Sequence, residues 1–130
     1  MKEINNIAIG ALGEKHTSSY LKKNGYKILE KNLRNSYSEI DIIAENKEYI
    51  IFVEVKTRTS KNDIRPAFAV DKQKQRKIML AANDYLKINK SKKQPRFDIS
   101  EVFLNIDNPK KYEINYIINA YTQGGSYAVF

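Results

Sequence analysis

The sequence predicts an α/β domain: a sheet of about five strands with helices packed on it. Three observations lead there. The run Tyr49-Ile50-Ile51-Phe52-Val53 is apolar on both faces, which suits a central strand covered on each side. Two longer segments carry apolar stripes at helical spacing, while shorter segments around them read as strands. The chain has 130 residues, with no internal repeat, low-complexity tract or Gly/Ser linker, so one domain over residues 1–130 is expected.

The first element reads as a helix, with Ile7, Ala11, Ser18 and Leu21 on one stripe and Asn24-Gly25 as its stop. Glu14 falls on that same stripe, an odd place for a carboxylate unless it points into a cleft. Strands come next over Tyr26 to Leu33, Glu39 to Glu45 and Tyr49 to Thr57. Glu45-Asn46-Lys47-Glu48 looks like a tight turn, so the second and third strands form a hairpin. Ser60 to Arg65 is polar and reads as a loop ending at Pro66. Asp71 is a plausible N-cap for a helix to about Lys87, whose apolar stripe is Ile78, Ala81, Ala82, Tyr85 and Leu86. Ser91 to Pro95 is a basic connection. Phe97 to Leu104 and Tyr112 to Tyr121 are two more strands, joined by a turn at Asp107-Asn108-Pro109.

Composition removes whole classes of chemistry. There is no cysteine, which excludes a disulfide scaffold, a thiolate nucleophile and cysteine-ligated zinc or iron–sulfur centres. The lone histidine, His16, cannot build a multi-histidine metal site and reads as a surface residue. No glycine-rich phosphate loop or serine nucleophile elbow is present. No apolar run approaches the ~20 residues of a membrane-spanning helix. Met1 to Asn6 lacks the apolar core of a secretory signal, so a cytoplasmic protein without membrane contact is expected. Lys plus Arg total 23 against 15 for Asp plus Glu, a net charge of +8 that favours a polyanionic partner.

The chemistry-bearing residues concentrate around the hairpin. Strand side chains alternate, so Glu54 and Lys56 share a face, as do Glu39 and Asp41 on the neighbouring strand. Register permitting, these four converge in one patch. Three carboxylates together repel each other unless a cation offsets them. Lys56 is one such cation, and a divalent ion is a stronger one. All-oxygen ligation favours Mg²⁺ or Mn²⁺, and the combination suits hydrolysis of a phosphodiester. The plainer account is a set of cross-strand Glu–Lys pairs on a solvated sheet face. Against it, Glu54 and Lys56 end a strand that reads as buried on both faces, where unpaired charge is costly.

Basic residues cluster over Lys72 to Arg96, including Lys72, Lys74, Arg76 and Lys77, and again at Lys56, Arg58, Lys61 and Arg65. They can bind phosphates without reading bases. A solvated helix face is the alternative. Arg96 and Asp98 share a strand face, where an ion pair explains both. The tyrosines near the C-terminus read as half-buried core more readily than as base-stacking groups.

The order of these residues resembles a known family. Ile9-Gly10-Ala11-Leu12-Gly13-Glu14, Tyr20 to Leu29 and Asn32-Leu33-Arg34 are similar to the start of YraN-family proteins. Ser38-Glu39-Ile40-Asp41-Ile42-Ile43 matches the family's Gly-Glu-Ile-Asp-Leu-Ile block. Phe52-Val53-Glu54-Val55-Lys56-Thr57-Arg58 matches its third block closely. Val70, Lys74, Gln75, Arg76 and Ala82 fit the family's next helix, and Arg96-Phe97-Asp98 fits the strand after it. The family is similar to the restriction-endonuclease-like superfamily, including archaeal Holliday-junction resolvases. The resemblance implies a mixed sheet flanked by helices. It implies Asp41 and Glu54 as metal ligands and Lys56 as the group that positions water or stabilises the phosphate. It matches Glu14 to the resolvases' N-terminal acidic residue and makes Glu39 a neighbouring candidate. Lys74 and Gln75 would support the site or contact substrate. Ser38 stands where the family usually has glycine, and Gln123 to Phe130 runs past its usual end, so about 122–130 is read as a C-terminal tail.

Together these readings predict a Mg²⁺- or Mn²⁺-dependent endonuclease acting on DNA, by resemblance branched, structured or single-stranded. The site set is Asp41, Glu54, Lys56, Glu14 and Glu39, with Arg58, Lys72, Lys74, Gln75, Arg76 and Lys77 toward nucleic acid. Symmetric cutting of a junction needs two active sites, so the resolvase comparison implies a homodimer. The rivals are a non-catalytic DNA-binding accessory protein in recombination, repair or uptake, and a basic RNA- or ribosome-associated protein.

Overall fold

A computed structural model describes residues 5–59, 72–108 and 110–122. The described chain is α/β, with the order α1 (Asn6–Lys23), β1 (Lys27–Arg34), β2 (Glu39–Glu45), β3 (Tyr49–Arg58), α2 (Lys72–Asn89), β4 (Gln94–Leu104) and β5 (Tyr112–Tyr121). The five strands form one mixed sheet in the order β1-β2-β3-β4-β5. β3 and β4 are parallel and every other neighbouring pair is antiparallel. Parallel neighbours need a crossover, and α2 lies in it. This is the arrangement expected of a restriction-endonuclease-like domain. The loop at 60–66 and the Asp71 cap lie outside the described residues.

Local chemistry sets the helix ends. Asn5 Oδ1 accepts the Ala8 N–H at 2.8 Å and caps the start of α1. At its end Gly25 has φ 87°, the Gly25 N–H reaches Lys22 O at 3.2 Å and the Tyr26 N–H reaches Leu21 O at 3.0 Å. That pair of bonds is a Schellman closure, which needs a left-handed residue where glycine stands.

The sheet separates two cores. Ile40, Ile43, Ile50, Phe52, Phe97, Ile99 and Tyr121 meet Ile78, Ala81 and Ala82 of α2. Ile42, Ala44, Ile51 and Val53 meet Leu21 of α1. The α2 stripe is the predicted one. The α1 stripe is so only in part: Ser18 and Leu21 are buried as expected, but Ile7 is 85% exposed, Ala11 is exposed, and Gly13 and Thr17 are buried in their stead. The reason is close approach. A Cβ on Gly13 would collide with Thr57 Oγ1. Thr17 Oγ1 and Ser100 Oγ share a buried hydrogen bond of 2.7 Å, so these small polar groups are satisfied where apolarity alone would not place them.

The α1 side of the sheet also holds the Arg96–Asp98 pair. Arg96 Nη2 donates to Asp98 Oδ2 at 2.8 Å and Nε donates to Oδ1 at 2.9 Å. Tyr116 Oη donates to Oδ2 at 2.6 Å, and the Asn119 N–H donates to Oδ1 at 2.9 Å. Arg96 Nη2 also reaches Tyr26 Oη at 2.8 Å, and its guanidinium lies over the Tyr49 ring. Burial, then the Asp98 charge, pushes the Tyr116 hydroxyl well above its ordinary range. His16 is half-buried and stacks on Tyr112 with ring centroids 3.7 Å apart, so it is a packing residue rather than a surface one. Thr122, read as the start of a tail, is buried; 123–130 lie outside the described residues.

Candidate active site

The hairpin of β2 and β3 is regular only near its turn. Asn46 Oδ1 accepts the N–H groups of Glu48 and Tyr49 at 3.0 and 2.7 Å. From there the ladder runs Glu45↔Ile50 to Ile42↔Val53. Beyond Val53 the Val55 N–H bonds to the side chain of Asp41, with Oδ2 at 2.8 Å. A carboxylate has taken the place of a backbone carbonyl where the strands part.

Strand alternation breaks at the same point. Ile40 joins the α2-side core and Ile42 the α1-side core, although residues two apart in a regular strand share a face. Glu39, Ile40 and Asp41 in succession line one cleft with Val53, Glu54, Lys74 and Ile78. Glu39 and Asp41 thus meet in the cleft through an irregular strand, not through the strict alternation the sequence suggested. On the other side of β2, Leu33 pairs with Ile40 and Lys31 with Ile42, so Asn32 lies opposite Asp41. Asn32 has φ 51°, a left-handed conformation unusual for a non-glycine residue in a strand.

The carboxylates differ in environment. Glu54 is 7% exposed and neither of its oxygens accepts a hydrogen bond. Lys74 Nζ stands 3.1 Å from Glu54 Oε2, an electrostatic pair rather than a directed bond. Asp41 is half-buried, and its carboxyl is pushed up from 3.8 to about 6. Burial is the largest cause; the Val55 N–H opposes it, and the charges of Glu14, Glu54 and Glu39 add to it. Glu14, on α1, is held by Asn32 Nδ2, which donates to its Oε1 at 2.9 Å. Glu39 is exposed, with Arg34 Nη2 3.5 Å away. Tyr121 is buried with an unbonded hydroxyl, and burial, then the Glu54 charge, pushes that hydroxyl upward.

The cationic residues divide more sharply. Lys56 is half-buried on β3, paired in register with Glu101, and is not among the described residues lining the cleft. Lys74 of α2 lines it instead. Arg58, expected to face nucleic acid, is buried, and its Nε donates to Glu101 Oε2 at 2.8 Å. Glu101 also accepts from Asn115 Nδ2 at 3.2 Å, so Arg58 belongs to a packed ion pair and not to a phosphate-binding surface. Lys72, Arg76 and Lys77 are exposed on α2 and Gln75 is half-buried. The first turn of α2 has no acidic residue, so cations crowd the positive end of the helix dipole.

Among the described residues no three carboxylate or histidine groups close into a metal-ligating cluster, so Asp41, Glu54 and Glu14 are not assembled as one ligand set. Asp41 and Glu54 remain as a pair. Mg²⁺ is commonly held by one or two carboxylates, with waters and substrate phosphate filling the other positions. The two unbonded oxygens of buried Glu54 fit that chemistry, because a buried carboxylate without hydrogen bonds needs a cation.

Sequence reasoning missed Asn32 as the group that holds Glu14, and it favoured Lys56 over Lys74 at the carboxylates. Asn32 carried one signal, since asparagine tolerates left-handed backbone better than most residues. Lys74 carried one only through the family resemblance, which put it in support of the site; its spacing along the chain carried none, because its position depends on how α2 packs.

The fold and cleft define a restriction-endonuclease-like α/β domain with an acidic pair at the parting of two strands. Residues 13–102 match the model of the uncharacterised protein family UPF0102. The chain belongs to this family, the YraN family. A UPF0102 protein of Caldanaerobacter subterraneus is 49% identical over 122 residues, covering 93% of this chain and all of that protein. One from Clostridium perfringens is 45% identical, covering 89% of this chain and 95% of the relative. One from Dictyoglomus thermophilum is 42% identical, covering 91% of this chain and all of the relative. Among the described residues no helix is long and apolar enough to cross a membrane.

Proposed function

We propose that this protein is a Mg²⁺- or Mn²⁺-dependent endonuclease that hydrolyses phosphodiester bonds in structured or branched DNA. One observation carries the reading: where β2 and β3 part, Asp41 caps the Val55 N–H and the buried Glu54 carboxylate beside it has no hydrogen bond. In this reading Asp41 and Glu54 hold the ion. When bound, the ion offsets charge on the scissile phosphate and lowers the pKa of the attacking water. The Val55 N–H fixes the Asp41 carboxylate, so its geometry is set before substrate arrives. Glu14, held by Asn32, adds negative charge beside Asp41 and favours a cation there. Lys56, two residues beyond Glu54 on β3, is assigned to the water or the phosphate. Lys72, Arg76 and Lys77 track the phosphate backbone without reading sequence, while Lys74 lines the cleft paired with Glu54. Branched DNA as the preferred form, and a homodimer to cut it symmetrically, rest on the resemblance to resolvases.

The test is cleavage of labelled single-stranded, duplex, flap and four-way-junction DNA with Mg²⁺, Mn²⁺ or chelator. Glu54→Ala and Lys56→Ala proteins run alongside. Metal-dependent cutting that both substitutions remove supports the enzyme. Cutting that survives both comes from a contaminant. A second reading, a non-cutting DNA-binding accessory protein, is favoured by one observation, that Lys56 does not line the cleft. Binding without cutting on every substrate, with a steep salt dependence and no metal dependence, would select it.

A further inference from the structure

We propose that Lys74 is a resident counterion that a divalent cation displaces from Glu54, and that the freed ammonium then takes the phosphate entering beside it. The proposal rests on the metal reading of the cleft and adds a step to it.

The two partners are mismatched. Glu54 is fixed: its strand is paired in full register with β4, Glu54 opposite Ile99, and its carboxylate is buried. The side chain of Lys74 is 56% exposed and sits on a long flexible stem from the first turn of α2. Ion pairs built to stay have another form in this molecule. Arg58 and Glu101 are both buried, with a directed 2.8 Å bond and a second donor from Asn115. Arg96 and Asp98 are buried, and Tyr116 and the Asn119 N–H also donate to the Asp98 carboxylate. Glu54 has neither kind of support, since no hydrogen bond reaches either oxygen. It is a buried anion whose observed counter-charge is a half-exposed lysine.

Two cations then compete for one place. Lys74 lines the same cleft as Asp41 and Glu54. An ion held by both carboxylates would be in direct contact with a Glu54 oxygen. With the ammonium 3.1 Å from Glu54 Oε2, the two positive charges would be close enough to repel strongly. The doubly charged, fixed ion prevails over a singly charged, flexible one. The displaced ammonium emerges at the N-terminal end of α2, beside exposed Lys72, Arg76 and Lys77 and no acidic residue in the first turn. A phosphate is the anion that this setting favours. Metal entry and phosphate capture are then coupled through one side chain.

The experiment measures Mn²⁺ affinity by water-proton relaxation, without DNA, on the wild type, Lys74→Met, Lys74→Arg and Glu54→Gln. Lys74→Met should bind Mn²⁺ roughly fivefold or more tightly than wild type, the scale set by losing one partly exposed ion pair. Lys74→Arg should stay near wild type, and Glu54→Gln should bind more weakly. If the wild type binds and Lys74→Met binds no tighter, the displacement falls while the metal reading stands. If neither binds at millimolar Mn²⁺, the metal reading falls and takes the displacement with it. The phosphate half is read as duplex binding in Ca²⁺ against chelator. Lys74→Met should weaken binding in Ca²⁺ and leave it nearly unchanged in chelator; equal weakening in both would overturn the coupling. Should Lys74→Met fail to fold, the wild type still decides. Its Lys74 Cε resonance should sharpen as Mg²⁺ is added, and an unchanged signal while Mg²⁺ binds would refute displacement.

Discussion

Asp41→Asn should make the metal-free protein more stable at pH 8, although it alters a residue at the centre of the cleft. The carboxyl titrates at 3.8 in its ordinary state and is pushed up to about 6 in the fold. At 1.36 kcal/mol per pH unit between those values, the ionised group opposes folding by about 3 kcal/mol. The sign comes from proton binding: between 3.8 and 6 the folded state holds the proton and the unfolded chain does not. Asp41 therefore favours folding most below 3.8, and that contribution is lost as pH rises through 6. Asparagine is neutral throughout and keeps a carbonyl oxygen for the Val55 N–H. Urea unfolding in chelator, monitored by far-UV circular dichroism, should give the variant a gain of about 1–3 kcal/mol at pH 8. The difference should vanish below about pH 4. On the metal reading, saturating Mg²⁺ stabilises the wild type, by about 2.7 kcal/mol at a hundredfold excess over Kd, and leaves the variant unmoved. A variant that is no more stable than wild type at pH 8 in chelator would refute the argument that burial and neighbouring carboxylates strain this group.

Three further outcomes come from the packing. Gly13→Ala should destabilise by about 1–3 kcal/mol in urea, because its Cβ collides with Thr57 and overpacking outweighs the helix propensity of alanine; a net gain in stability would show that α1 can shift freely. Asn32→Ala should unfold more easily than Asn32→Gly by about 1 kcal/mol, since both lose the Glu14 bond but only alanine is strained at φ 51°; equal values would remove the backbone argument. Asp98→Ala should lower stability by about 3–5 kcal/mol in thermal or urea melts, because it leaves buried Arg96 uncompensated; a loss below about 1 kcal/mol would mean that Arg96 finds solvent.

Much of this architecture was legible in order. The two-sided apolar run placed β3, the helical stripe placed α2, and the turn at Asn46 placed the hairpin, because each rests on local periodicity and turn chemistry. The buried face of α1 was only half legible from apolarity, which found Leu21 and Ser18 but also chose exposed Ile7 and Ala11. It is written in Gly13, Thr17 and Ser18, small residues whose value lies in close approach to Thr57 and Ser100. The cleft was half legible. Glu39, Asp41 and Glu54 line one cleft as expected, but not by strict alternation, because Ile40 and Ile42 fall in opposite cores where the ladder ends, and Lys56 does not join them. Lys74 reaches Glu54 only through tertiary packing, which no spacing along the chain encodes.

Asp98 and Glu54 show why burial alone does not mark a functional acid. Both are carboxylates on central strands, and both read in the sequence as partners of a nearby basic residue. Asp98 is 0% exposed and is met by Arg96, Tyr116 and the Asn119 N–H. Its charge is fully used inside the fold, so it reads as structure. Glu54 is almost as buried and accepts no hydrogen bond. Around it three local rules fail within a small volume: Asn32 takes a left-handed backbone, the alternation of β2 breaks at Asp41, and Asp41 is held well above its ordinary titration. Natural sequences tend to violate such rules at sites where something else must bind. The same molecule satisfies a buried acid elsewhere, so the unsatisfied one is not a failure of packing. It is the feature on which the proposed cation and phosphate site at the parting of β2 and β3 rests.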